Sequence, residues 1–190
     1  MGYMRSIGSE KEITHIIEND DWMMRVLQAA SELNLQDWWI GAGFLRNRIW
    51  DYLEDNTPIE SRDVDLVYFD SSIITAEKDW QYDEHMNATF PFAEWEVRNQ
   101  ARMHYKNGFE PFTSTADGIS HWTETATAIA VRLTNNQLEY LFCYGTDDVF
   151  GLIARPTPFF EQEPKLAIYR ERMTEKNWNN RWPHLRIEYM

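Results

Sequence analysis

The chain is poor in cysteine, in positive charge and in long apolar runs. A single cysteine, Cys143, stands among 190 residues. No internal disulfide can form, and that usage fits a reducing cytoplasm. No stretch approaches the roughly 20 apolar residues that span a bilayer, and no apolar segment near the N-terminus reads as a signal peptide. Neither a membrane role nor export is expected. Lys and Arg number 18 against 31 Asp and Glu, a formal charge of −13. Phosphate backbones are held mainly by Lys and Arg, so this balance argues against a duplex-binding surface. Small anionic substrates stay compatible where a divalent cation and a few arginines neutralise them. His85, His121 and His184 are scattered without ligand spacing, which argues against zinc. No Ser, Cys or His constellation marks a covalent nucleophile, and there is no repeat or low-complexity tract. Length suffices for one domain with a proper core, and nine tryptophans make that core aromatic.

What the chain does have is one organising stretch, from Trp38 to Asp70. Trp38-Trp39-Ile40 is a short apolar run ended by Gly41-Ala42-Gly43. Leu45, Ile49 and Leu53 then recur every fourth residue, the spacing of a helical stripe. The reading is strand, glycine turn, helix. Such a turn allows close backbone approach, and the helix behind it aims free N–H groups and a positive dipole end at whatever lies above, typically a phosphate. Arg46, in the first turn, opposes that dipole unless an anion is near. After the loop Glu54–Arg62 comes Asp63-Val64-Asp65-Leu66-Val67-Tyr68, alternating polar and apolar. On a strand, Asp63 and Asp65 share one face, with Cα atoms roughly 6–7 Å apart. Two such carboxylates repel each other unless a cation lies between them, and Mg²⁺ prefers hard oxygen ligands.

The order Gly41-Ala42-Gly43, Leu45-Arg46-Asn47, Asp63-Val64-Asp65 is similar to the signature of the nucleotidyltransferase superfamily typified by DNA polymerase β. Its Gly43-Phe44-Leu45-Arg46-Asn47 run resembles the head domain of tRNA nucleotidyltransferases. More closely, the chain resembles a bacterial nucleotidyltransferase-like family of about this length. That likeness extends over Ile40 to Trp50, Asp63 to Asp70, Asn99 to His104, Thr125 to Leu133, the turn before Asp147-Asp148, and Trp178 and Trp182. The resemblance implies an α/β fold, a small mixed sheet flanked by helices, within a single domain 1–190. The motif core would run over about 36–145, with helical additions 9–34 and 164–182. It also implies Mg²⁺ or Mn²⁺ at Asp63, Asp65 and a third carboxylate on a neighbouring strand. Glu96 is chosen for that place, with Glu94 and the more distant Glu139 in reserve. A nucleoside triphosphate would be seated by Gly41, Ala42, Gly43 and Arg46, with Asn47 and Arg98 nearby. Asn47 stands where tRNA nucleotidyltransferases usually carry Asp. The implied activity is transfer of a nucleoside monophosphate to an acceptor hydroxyl; nucleic acid as a partner is disfavoured by charge. The alternative is a nucleotide- or protein-binding module that keeps the fold without catalysis.

Elsewhere the patterns predict helices from Ser9 to Leu33, split near Asn19-Asp20-Asp21, and over Ile73 to Met86. A strand is expected from Phe92 to Arg98, with Glu94, Glu96 and Arg98 on one face. Asp70, of opposite parity to Asp63 and Asp65, reads as a cap or turn residue. A further helix is expected from Ser114 with the stripe Ile119, Trp122, Ala126, Ile129, Ala130 and Leu133. Then follow a strand Leu138–Tyr144 and a last helix after Pro164. Trp178 and Trp182 should clamp the tail. Arg102 and His104 belong to the family-like stretch, with helix packing and capping as the other reading, preferred for His104; Cys143 reads as a buried, inert thiol.

Overall fold

A computed structural model describes residues 5–59 and 62–190. Its centre is a five-stranded mixed sheet in the order β3-β2-β1-β4-β5. The strands are β1 (Trp39–Gly41), β2 (Asp63–Tyr68), β3 (Glu94–Asn99), β4 (Ile129–Thr134) and β5 (Gln137–Phe142). Only β2 and β3 run parallel; β1 lies antiparallel to both β2 and β4, and β5 to β4. Strand alternation divides the residues cleanly. Ile40, Val64, Leu66, Trp95, Val97, Ile129 and Val131 belong to the main core. Against them pack α1 (Glu10–Glu18), α2 (Asp21–Glu32) and α3 (Gly43–Leu53) through residues such as Ile13, Ile17, Leu27, Leu45 and Ile49. The other face carries Asp63 and Asp65. A smaller cluster of Trp39, Val67, Ile119, Ala128 and Ala130 covers only part of that face.

The expected split between α1 and α2 is present. Asp20 caps α2 by accepting from the Met23 N–H at 3.1 Å, and its other oxygen holds Arg48. The helix expected from Ile73 begins four residues later, as α4 (Glu77–Thr89). Asn99 takes the Asp70 and Ile73 carbonyls, each at 2.8 Å, and Asp70 accepts from the Ser72 N–H and hydroxyl, so this segment is turn rather than helix. Asp70 is therefore the turn residue that its parity suggested. α4 then closes the sheet edge. Side chains four apart on the helix, Asn87, Asp83 and Asp79, accept from the N–H groups of Trp95, Val97 and Asn99, the outward-facing donors of β3. An edge strand left open is a template for pairing with another chain; here a helix covers it with carboxylates and an amide. Asp79 is fully buried and also holds the Tyr68 hydroxyl and Arg102.

The stripe from Ile119 to Leu133 is where sequence and structure part. α5 is only Thr115–Ser120, and Ile129–Thr134 is the strand β4. β4 contributes Ile129 and Val131 to one core and Ala130 to the other. A strand buried on both faces loses its polar alternation and imitates a helical run. Downstream, a short helix α6 (Asp147–Phe150) and a two-stranded pair β6 (Ile153–Ala154) and β7 (Arg186–Ile187) flank α7 (Lys165–Lys176). The tail docks as expected. Trp178 and Trp182 meet Trp50 edge-on at 5.4 and 5.0 Å. Buried Asp51 adds bonds to the Arg181 guanidinium and the Trp182 indole. No helix among the described residues is long and apolar enough to cross a membrane.

Candidate functional site

A cleft of about 300 Å³ opens on the partly covered sheet face. One wall is acidic. The parallel register sets Asp65 directly beside Glu96, and Asp63 beside Glu94, so strand parity brings four carboxylates to one face. Among the described residues neither Asp63 nor Asp65 has a hydrogen-bonding or ionic partner. The outer pair is better supplied: Glu94 has Arg62 at 3.3 Å, and Glu96 has Arg98 at 3.5 Å. Burial pushes the Asp65 carboxyl above its ordinary 3.8, and the charges of Glu96 and then Asp63 push the same way, while Arg46 and Arg172 oppose them. The donor set is all carboxylate oxygen, which suits a hard divalent cation. Among the described residues, however, no group of three or more His, Cys, Asp or Glu side chains is drawn together closely enough to hold a metal ion. Glu139 lies three strands from β2 and pairs with Arg132, so of the candidates for a third acid only Glu96 and Glu94 are neighbours.

The turn sits at the head of this wall. Ala42 has φ 54° and ψ −128°, a conformation that L residues rarely adopt and that tends to persist at ligand-binding sites. Its N–H donates to the Ile129 carbonyl at 3.2 Å, which ties the turn to β4. Gly41 leaves no room for a side chain: a Cβ there would lie 2.4 Å from the Trp122 ring. The ring of Trp122 thus lies against the backbone at Gly41 and forms part of the cleft wall. Gly43 starts α3, with Asn47 packed close against it.

Arg46 stands behind the turn rather than in the cleft. It is 5% exposed, and its guanidinium donates to the Thr127 hydroxyl at 2.6 Å and to the Asn47 carboxamide oxygen at 2.8 Å. It also lies 4.2 Å over the Trp178 ring. Burial lowers its pKa to about 10. Arg98 reaches the cleft wall while bonded to Asp83 at 2.7 Å. Of the nine site residues expected from the sequence, Ala42, Asp65, Glu96 and Arg98 line the cleft; Gly41, Arg46 and Asp63 do not, and Gly43 and Asn47 instead line a separate pocket beside Asp20 and Trp22.

The opposite wall was not foreseen. Phe109, Phe112, His121 and Trp122 line it, with Phe159 stacked on His121 at 3.7 Å. His121 Nδ1 lies 2.8 Å from the Asp117 carbonyl; a carbonyl only accepts, so Nδ1 carries the proton. Arg172 of α7, with Thr127 and Lys106, completes the lining. No local spacing signals these residues, since they gather from α7, single helical turns and irregular chain. Their one trace in the sequence is the aromatic content of 15%.

A family model described as nucleotidyltransferase matches residues 28–187. None of the curated proteins searched matches the chain. Among solved structures, one described as revealing a CCA-adding enzyme head domain superposes with a TM-score of 0.87 at 31% identity, covering 97% of this chain and 98% of that one. CCA-adding enzyme in complex with CTP and with ATP gives TM-scores of 0.58 and 0.57 at 13% identity. This chain spans 44% of the length of each of those two enzymes.

Proposed function

The chain belongs to the nucleotidyltransferase family and has its α/β head-domain fold, and from that premise we propose that it moves a nucleoside monophosphate from a nucleoside triphosphate to an acceptor hydroxyl. The observation that carries this reading is Asp65 beside Glu96, in register, at the foot of the glycine turn and without a basic partner on Asp65. Asp63, Asp65 and Glu96 would hold Mg²⁺ or Mn²⁺. When bound, the ion neutralises the phosphoryl oxygens and the leaving pyrophosphate.

The protein's own groups do the rest. The free N–H groups at the start of α3 donate to phosphate oxygens above Ala42. Arg46 and Asn47 brace that turn from behind, and Arg98 adds positive charge at the cleft wall. The rings of Phe109, Phe112, His121 and Trp122 offer flat apolar faces to a nucleobase. Glu96, the more exposed acid, accepts the proton of the acceptor hydroxyl. The acceptor oxygen then bonds to the α-phosphorus while the bond to the β-phosphate bridge breaks, releasing pyrophosphate. Residues 1–190 act as one such domain, its motif core near 36–145. The acidic surface favours an acceptor other than a polynucleotide. A mobility shift with tRNA that weakens steeply with salt would overturn that choice.

A thermal-shift series with ATP and CTP, with and without Mg²⁺, tests the reading. Ligand at 100 times its Kd adds about 2.7 kcal/mol, which is roughly 5–10 °C for a chain of this size. The shift should need Mg²⁺ and vanish in the double variant Asp63→Asn, Asp65→Asn. The wide placing of the acids favours one second reading, a nucleotide-binding module without catalysis. A shift that survives the double variant and needs no metal selects it.

A further inference from the structure

Arg46, the arginine that the motif offers for phosphate, is spent internally on Thr127 and Asn47. The cleft nevertheless contains a guanidinium in the right place, that of Arg172. It lines the same cavity as Ala42, Asp65 and Thr127, and its charge is felt by both Asp65 and Arg46. Its Nε donates to Glu124 Oε1 at 2.6 Å, and the Glu124 side chain is fully buried. Among the described residues the two terminal nitrogens of Arg172 have no partner. A guanidinium anchored through Nε presents those two nitrogens as a planar fork, the geometry that matches paired phosphate oxygens. Glu124 is held in turn by its own backbone: its carbonyl accepts from the Thr127 and Ala128 N–H groups at the entry to β4.

We propose that Arg172 is the side chain that grips the polyphosphate tail of the nucleotide, and that Glu124 is its positioning residue. The inference rests on the nucleotidyltransferase reading and extends it to α7, outside the motif core. It explains why the C-terminal segment is bound so firmly to the body through Trp178, Trp182 and Asp51: α7 must hold an arginine in register with a cleft built by β1, β2 and β3.

Calorimetric titration of the full chain with ATP and with AMP, in Mg²⁺, tests it. Arg172→Gln alone strands the buried Glu124 carboxylate and can fail to fold, so the decisive variant is Arg172→Gln with Glu124→Gln. Its ATP affinity should fall at least tenfold while AMP affinity changes less than twofold. Arg172→Lys, which keeps the charge without the fork, should recover only part of the loss. Glu124→Gln alone should weaken ATP by a few fold and leave AMP unchanged. Equal losses for ATP and AMP, or no loss for ATP, would overturn the assignment and leave the function standing. Failure of the wild type to bind either ATP or CTP would overturn the function itself, and this inference with it; where CTP alone binds, CTP and CMP take the place of ATP and AMP in the comparison.

Discussion

Replacing Asp65 by Asn should make the metal-free protein more stable at neutral pH. Adjacent strands lie about 4.8 Å apart, so in-register carboxylates on one face sit roughly 6 Å from each other. Two like charges at that distance cost about 0.7 kcal/mol in water and about 2.8 at an effective dielectric constant of 20. Glu96 is 64% exposed, which places the pair toward the watery end. Asp63 adds to the repulsion, while Arg46 and Arg172 remove part of it. A net gain of about 1 kcal/mol remains, or roughly 2–4 °C in Tm for a chain of this size. The dependence on pH has a definite sign. A carboxyl whose folded pKa lies above its ordinary 3.8 binds its proton more tightly in the native state. Its favourable contribution is complete below 3.8 and is lost as pH rises through the raised value. The advantage of the Asp65→Asn variant over the wild type should therefore be full at pH 7 and fade as the buffer approaches pH 4. Melting curves by circular dichroism in EDTA, at several pH values, measure it. A variant that melts below the wild type at pH 7 would show Asp65 to be a structural acid and refute the argument for a strained metal ligand.

Three other outcomes follow from the same geometry. Arg102→Met leaves fully buried Asp79 with only the Tyr68 hydroxyl and the Asn99 amide; urea unfolding should show a loss of about 3 kcal/mol, largely recovered by adding Asp79→Asn. Gly41→Ala forces a Cβ to within 2.4 Å of Trp122; the overpacking should cost about 1–3 kcal/mol and weaken ATP binding, because the displaced ring forms part of the cleft wall. Burial pushes the Cys143 thiol up to about 11. Alkylation at pH 8 should run roughly a hundredfold slower in the native protein than in urea, where the thiol regains its ordinary value near 8.5, and should accelerate as pH rises toward 11.

Much of the architecture was readable because its signals are local. Strand parity paired Asp63 with Asp65 and Glu94 with Glu96, each on one face of its own strand, and the glycine turn announced the start of α3; the parallel register of β2 and β3 then joins the two pairs. What failed did so where burial is symmetric or the partner is distant. β4 faces apolar neighbours on both sides, so its pattern merged with the α5 stripe. α4 is expected, but its inward stripe of Asp79, Asp83 and Asn87 is polar and bonds the backbone of β3, so an apolar periodicity does not mark the face that it covers.

The site divides along the same line. The two aspartates, the turn and Arg46 lie close together in sequence, and a motif could name them; it could not say that Arg46 would be buried against Trp178 with both terminal nitrogens already taken. A buried guanidinium beside a glycine turn needs acceptors of its own, and Thr127 and Asn47 supply them. That commitment fixes the turn, including the strained Ala42, and leaves phosphate binding to a cation that remains partly exposed. Arg172 meets the requirement because its stem crosses to Glu124 and its fork does not. In the sequence Arg172 is one charge among several on α7, with Glu171 and Glu175 beside it, and nothing local separates it from Arg170. Only the packing of Leu166, Tyr169 and Met173 into the core sets the rotation of the helix, and that rotation turns Arg172 to the cleft and Arg170 to Glu163 at the surface.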